Sequence, residues 1–136
     1  MPPHIFTYGS LMFPQVWQRV VRGSYRSAAA SVTDYARFAL EGETYPGMIA
    51  QAGSTVAGVV YFDVETRDIA LLDAFEGVEY RRDALTAHLE TGELLAVDAY
   101  IFLSPALLSS LPWQPEAFQM QRFLQSYCRD NTGEPV

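Results

Sequence analysis

The sequence predicts an α+β domain, a small mixed or antiparallel β-sheet curled around a core with a few helices outside it. Three observations carry that expectation. Runs rich in valine and aromatic residues outnumber the helical patterns. Turn residues, not long crossovers, join most of those runs. The hydrophobic period changes to that of a helix in only a few places, most clearly in "TRDIALLDAFEG".

The elements follow in order. "HIFTYG" reads as a first strand closed by Gly9, and "FPQVWQRVV" as a short helix with Pro14 in its first turn. "YRSAAASVTDYARFALEG" predicts two strands with a bend near Asp34, the second ended by Gly42. "ETYPGMIAQAG", broken by Pro46 and Gly47, predicts a turn entering a short strand, and "STVAGVVYFDV" carries the strongest strand signal. In "TRDIALLDAFEG", Ile69, Leu72 and Phe75 recur at helical spacing, with Thr66 as the expected cap and Gly77 just past the end. "YRRDALTAHLE" and "LLAVDAYIFL" read as strands joined by a hairpin turn at "ETGE". "PEAFQMQRFLQSYCRD" predicts a closing amphipathic helix, with residues 130–136 as a flexible tail. The whole of 1–136 reads as one domain.

Composition narrows the function classes. The chain has 136 residues, 49% hydrophobic and 18% charged, within the ordinary globular range. A net charge of −7 argues against nucleic-acid or membrane-surface partners, which need clustered cations. The start lacks a basic region and an apolar core of signal-peptide type, so a cytoplasmic location is expected. The single cysteine, Cys128, allows no internal disulfide and reads as a small core residue. No phosphate loop, dinucleotide fingerprint or H-x-x-x-H pair is present, so neither cofactor nor metal is expected.

Two stretches carry candidate chemistry. "TYGSLM" places Gly9 and Ser10 between a strand and a helix, where glycine permits close approach: a plain turn, or the floor of a binding site. It is not a G-x-S-x-G elbow, because Leu11 stands where that elbow needs a small residue, though a Ser10–His88 acyl-transfer pair is an alternative. "LLDAFEGVEYRR" sets Asp73 and Glu76 three apart at a helix end. The negative end of the helix dipole and desolvation both disfavour an ionised carboxyl there, so Glu76 is a candidate acid/base. The competing reading leaves it solvated or pairs it with Arg81 or Arg82.

"YGSLM", "YPGMI", "LLDAFEGVEYRR" and "AYIF", in this order, resemble the γ-glutamylcyclotransferase-like superfamily, in particular its AIG2-like and γ-glutamylamine cyclotransferase branch. The similarity runs from about His4 to Leu103. It implies a small β-barrel with flanking helices and a cofactor-independent reaction. In that reaction the α-amine of a γ-glutamyl amine or peptide attacks its own side-chain amide, releasing 5-oxoproline and an amine. It also implies that Glu76 is the catalytic residue and that Tyr8, Gly9, Ser10 and Leu11 form the substrate-binding loop. N–H groups of Ser10, Leu11 and Met12, helped by the start of the helix at Pro14, would hold the α-carboxylate. Tyr45, Tyr80 and Arg82 are secondary substrate-binding candidates; the alternatives are plain packing for the tyrosines, and pairing with Asp73 or with nothing for Arg82. A monomer or weak homodimer is expected. The alternatives are a non-catalytic small-molecule binding module on the same fold and a Ser10-dependent acyl transferase or hydrolase.

Overall fold

The computed structural model describes residues 3–115. The closing helix predicted beyond Pro115, Cys128 on it and the expected tail lie outside the described residues. Among the described residues, six strands and two α-helices follow one another: β1 (Ile5–Thr7), α1 (Pro14–Val20), β2 (Ser27–Leu40), β3 (Pro46–Tyr61), α2 (Thr66–Glu76), β4 (Tyr80–Leu89), β5 (Leu94–Phe102) and β6 (Leu108–Pro112).

The strands run in the order β3-β1-β5-β4-β2-β6, and β2 also pairs with β3, so five of them close on one another. The β1–β5 contact is parallel and the others are antiparallel, making a mixed barrel. Closure removes the exposed edges that an open sheet would carry. β6 extends the sheet beyond the barrel by pairing Leu40 with Leu108 and Phe38 with Pro112.

Strand alternation splits the apolar residues into two cores. Phe6 and Tyr8 join Val32, Met48, Val56, Val60, Val97 and Ala99 in one cluster. Ile5, one residue before Phe6 and so on the opposite face, belongs to the other, with Val16 and Trp17 of α1, Ile69, Leu72 and Phe75 of α2, and Tyr61 and Tyr100 of the sheet. Trp17 stacks on Tyr61 at 3.7 Å between centroids and 3° between planes. This second cluster seats the helices on the barrel and so brings the end of α2 beside the end of β1.

Three local expectations are corrected. The segments before and after Asp34 are one strand, β2, whose register shifts between Thr33 and Tyr35 where Asp34 adopts φ 67°. A bulge replaces the predicted break, and the Asp34 carboxylate accepts the Gly53 N–H at 3.0 Å across the hairpin. The segments before and after Gly53 likewise merge into β3. The cap of α2 is Glu65, not Thr66, and its side chain makes no capping bond. Buried Asp68 ties that first turn to the chain before β2, accepting the N–H groups of Arg22 and Gly23, each at 2.9 Å, and the Tyr25 hydroxyl.

Candidate active site

β1 ends at Thr7, and the next residues leave the sheet and form a 3₁₀ turn over Ser10–Met12. The turn is self-bonded at its far end: Met12 N–H donates to the Gly9 carbonyl at 3.0 Å and Phe13 N–H to that of Ser10 at 3.1 Å. Ser10 and Leu11, at its head, are the positions whose N–H groups a 3₁₀ turn leaves to outside acceptors. The Met12 N–H is therefore not available to a ligand as the sequence suggested. A Cβ on Gly9 would lie 2.8 Å from the Pro46 ring, so only glycine fits where this turn meets the start of β3.

The Tyr8 backbone and side chain are fixed from two sides. Arg37 donates to its carbonyl at 2.7 Å, and the Tyr8 hydroxyl donates to the Tyr100 carbonyl at 2.6 Å. Burial, then the charge of Glu76, raise the Tyr8 pKa well above that of an ordinary phenol, so the hydroxyl stays protonated.

Glu76 closes α2. Gly77 terminates the helix at φ 79°, its N–H returning to the Asp73 carbonyl at 3.1 Å. This turn releases the chain into β4 and leaves Glu76 facing the Tyr8–Leu11 segment. Glu76 lines a narrow pocket with Tyr8, Gly9, Ser10, Leu11, Tyr45 and Tyr80, and Phe75 and Tyr100 complete the nearby wall. The pocket is a tight cleft whose cavity proper is only about 20 Å³, and it opens at Tyr45, Glu76 and Tyr80 into a wider groove. The Glu76 pKa is pushed up to about 8, first by burial and then by the Asp73 carboxylate. The residue retains partial exposure at the helix end, so the desolvation bears on its carboxyl inside the pocket.

Seven of the eight residues singled out from the sequence thus meet at one pocket. Tyr80 donates its hydroxyl to the Pro46 carbonyl at 2.8 Å, while burial and neighbouring Glu43 push the half-buried Tyr45 phenol up to about 12. Arg82 is the exception. It does not line the pocket. Its guanidinium bridges Asp73, at 3.0 Å, and Asp98, at 2.9 Å. Of the expected alternatives, pairing with Asp73 is the one found. The start of α1 at Pro14 is not part of the wall either.

Sequence reading missed Tyr100, whose hydroxyl donates to Asp73 at 2.7 Å, and Arg37, which holds Tyr8. The cross-strand pair Arg82–Tyr100 was a findable signal once β4 and β5 were read as a hairpin, because directly opposed residues share a face. Arg37 had no such signal, being brought to Tyr8 by the closure of the barrel.

Neither histidine lines the pocket. His4 accepts the Asp63 N–H at 3.0 Å, and exposed His88 sits eight residues along β4 from Tyr80, about 26 Å away at strand rise. The Ser10–His88 pair is therefore not formed. Among the described residues no group of three His, Cys, Asp or Glu side chains is placed to hold a metal, and no helix is long and apolar enough to cross a membrane.

The fold is thus a small closed mixed barrel in which Glu76 and the Tyr8–Leu11 segment line one pocket. The chain belongs to the gamma-glutamyl cyclotransferase, AIG2-like family, whose model matches residues 5–117. AIG2-like protein D of Arabidopsis thaliana is 32% identical over 72% of this chain and 66% of its own length, and AIG2-like protein C of the same plant is 31% identical over 72% and 58%. The match thus spans about three-fifths to two-thirds of those relatives. Among solved structures, an AIG2-like protein from Mus musculus superposes with a TM-score of 0.62 at 25% identity, covering 82% of this chain and 85% of that one. A structure described as gamma-glutamyl cyclotransferase gives 0.66 at 18% identity, covering 98% and 82%, a likeness of fold.

Proposed function

We propose that the chain is a γ-glutamylcyclotransferase in which Glu76 moves the protons. The observation that carries this reading is a carboxyl of raised pKa facing the head of the Ser10–Met12 turn across a narrow pocket. Family membership supports the same reaction class.

A γ-glutamyl amide carries its own nucleophile, so the protein's task is to fold the substrate and handle protons. The α-carboxylate is held by the N–H groups of Ser10 and Leu11, which turns the α-nitrogen toward the γ-carbonyl and Glu76. Fixing such a geometry supplies on the order of 7–11 kcal/mol of a barrier in favourable systems. Ionised Glu76 takes a proton from the α-ammonium, and the freed amine attacks the γ-carbon to close a five-membered ring. The carboxyl then returns that proton to the departing nitrogen as the old C–N bond breaks. The ring nitrogen loses two protons in all and the released amine gains two, carried in turn. A pKa of about 8 suits one group to both directions. The Tyr8, Tyr45 and Tyr100 phenols, protonated at neutral pH, line the pocket and exclude water without adding charge.

The test is incubation of the intact chain with a panel of γ-glutamyl amines, amino acids and peptides, followed by mass spectrometry for 5-oxoproline. The reading predicts 5-oxoproline and the free amine in equal amounts from at least one member. Tight binding without turnover of any member would favour a non-catalytic module on the same fold.

A further inference from the structure

Beyond the pocket wall lies a charged network that the cyclisation chemistry does not use. Asp73 sits one helical turn before Glu76 on α2. Arg82 reaches it from β4 by two N–H groups, at 3.0 and 3.3 Å, and is itself held by Asp98 of β5 at 2.9 Å. The Tyr100 hydroxyl adds a third donor at 2.7 Å. The same Tyr100 takes the Tyr8 hydroxyl on its carbonyl, so the network joins α2, β4 and β5 to the chain leading into the Ser10–Met12 turn.

Two bonded N–H groups and a phenol fix one carboxylate more firmly than an exposed ion pair requires. From this geometry, and resting on the cyclotransferase reading for its functional meaning, we infer that Asp73 is a positioning residue: clamped by Arg82 and Tyr100, it holds a fixed negative charge one turn from Glu76 and sets the pH at which Glu76 works.

The other groups around Glu76 do not compete for that role. Tyr8, from the chain after β1, Tyr45, from the β2–β3 connection, and Tyr100, from β5, all have pKa values raised by burial and remain neutral near pH 8. Tyr80 of β4 is engaged with Pro46. Glu41, Glu43 and Glu79 line the outer groove, where water screens them, and Arg82 is bonded to Asp73. Asp73 is the charge that acts on Glu76 after burial itself.

The test follows the Glu76 midpoint in intact chain labelled with ¹³C at the glutamate side-chain carboxyl, the resonance assigned by its loss in Glu76→Gln. Asp73→Asn removes the negative charge and should lower the midpoint by about half to one pH unit, given a partly exposed pair. Arg82→Gln leaves Asp73 charged without its counter-ion and should raise it by roughly a few tenths of a unit, while Arg82→Lys should hold it in place. Opposite movements distinguish charge from loosening, because admitting water would lower the midpoint in both. The acid limb of the kcat/KM profile should move with the midpoint in each case.

Midpoints unmoved, or moving down together, would overturn the inference. If Asp73→Asn does not fold, Arg82→Gln against Arg82→Lys decides: a rise with Gln alone supports the inference, and equal midpoints overturn it. The NMR titration needs no substrate. Shifted midpoints in a chain that turns over no γ-glutamyl compound would therefore sink the proposed reaction and leave the electrostatic role standing.

Discussion

Replacing Glu76 with glutamine should make the protein more stable at alkaline pH, and by an amount the pocket itself sets. The Glu76 pKa stands at about 8 in the fold against an ordinary 4.5. At 1.36 kcal/mol per pKa unit, the difference puts the cost of ionising it in the fold at about 5 kcal/mol. Water at the helix end reduces that to about 2–5 kcal/mol. The raised pKa also fixes the sign. Below pH 4.5 the carboxyl is protonated in both states and its contribution is fully present. Between 4.5 and 8 the unfolded chain ionises while the folded one resists, so stability falls; above 8 the full cost remains. Glutamine is neutral throughout and nearly isosteric. Urea unfolding of both proteins from pH 4.5 to 9 should therefore show similar free energies at the acid end, with the variant ahead by about 2–5 kcal/mol at the alkaline end. Taking the difference between the two chains cancels the other carboxylates. A difference that stays constant across that range would refute the desolvated pocket carboxyl and the acid/base role that depends on it.

Two further predictions concern parts that support the site. Gly9→Ala places a Cβ 2.8 Å from the Pro46 ring, which cannot yield as a flexible side chain would. Unfolding stability should fall by about 1–3 kcal/mol, with a KM for γ-glutamyl substrate raised at least roughly tenfold; wild-type values of both would show that the contact is not constraining. Asp68 is buried, which pushes its pKa up, but donors from Tyr25, Arg22 and Gly23 outweigh that and hold it below the ordinary carboxylate value. Its contribution is thus present above pH 3.8 and lost as pH falls through the folded value. Asp68→Asn should cost about 1–3 kcal/mol at pH 7 in urea unfolding, the deficit shrinking below about pH 4; a deficit independent of pH would contradict the charged-bond account.

Local signals that tertiary structure reinforces were legible in the sequence. The apolar spacing of Ile69, Leu72 and Phe75 and the glycine after Glu76 located α2 and its end, because the same residues that favour the helix also seat it on the barrel. The strand–glycine–serine junction marked the Ser10–Met12 turn for a similar reason: close approach to Pro46 demands glycine there. What failed was punctuation. Asp34 and Gly53 look like strand ends, yet pairing along the whole β2–β3 hairpin absorbs them as a bulge and a positive-φ residue. β6 was missed because "LSSLP" has weak strand propensity and a proline, which an edge position beside β2 tolerates. The Asp73–Arg82–Asp98 network was beyond reach as a whole. The Asp73–Arg82 pair was among the expected alternatives, but its extension to Asp98 exists only because α2 packs where β4 and β5 pair.

In the proposed reaction, proton transfer by Glu76 drives cyclisation and the Ser10 hydroxyl does not. The most direct measurement compares initial rates of 5-oxoproline release by the wild-type chain, Glu76→Gln and Ser10→Ala on a γ-glutamyl substrate it turns over. Glu76→Gln should lower kcat by at least ~10²-fold, the lower range for a lost general base, with binding largely kept. Ser10→Ala should change it far less, because the proposed contact uses the Ser10 N–H. Loss of turnover in Ser10→Ala with most activity retained in Glu76→Gln would contradict the mechanism and point to a serine nucleophile instead.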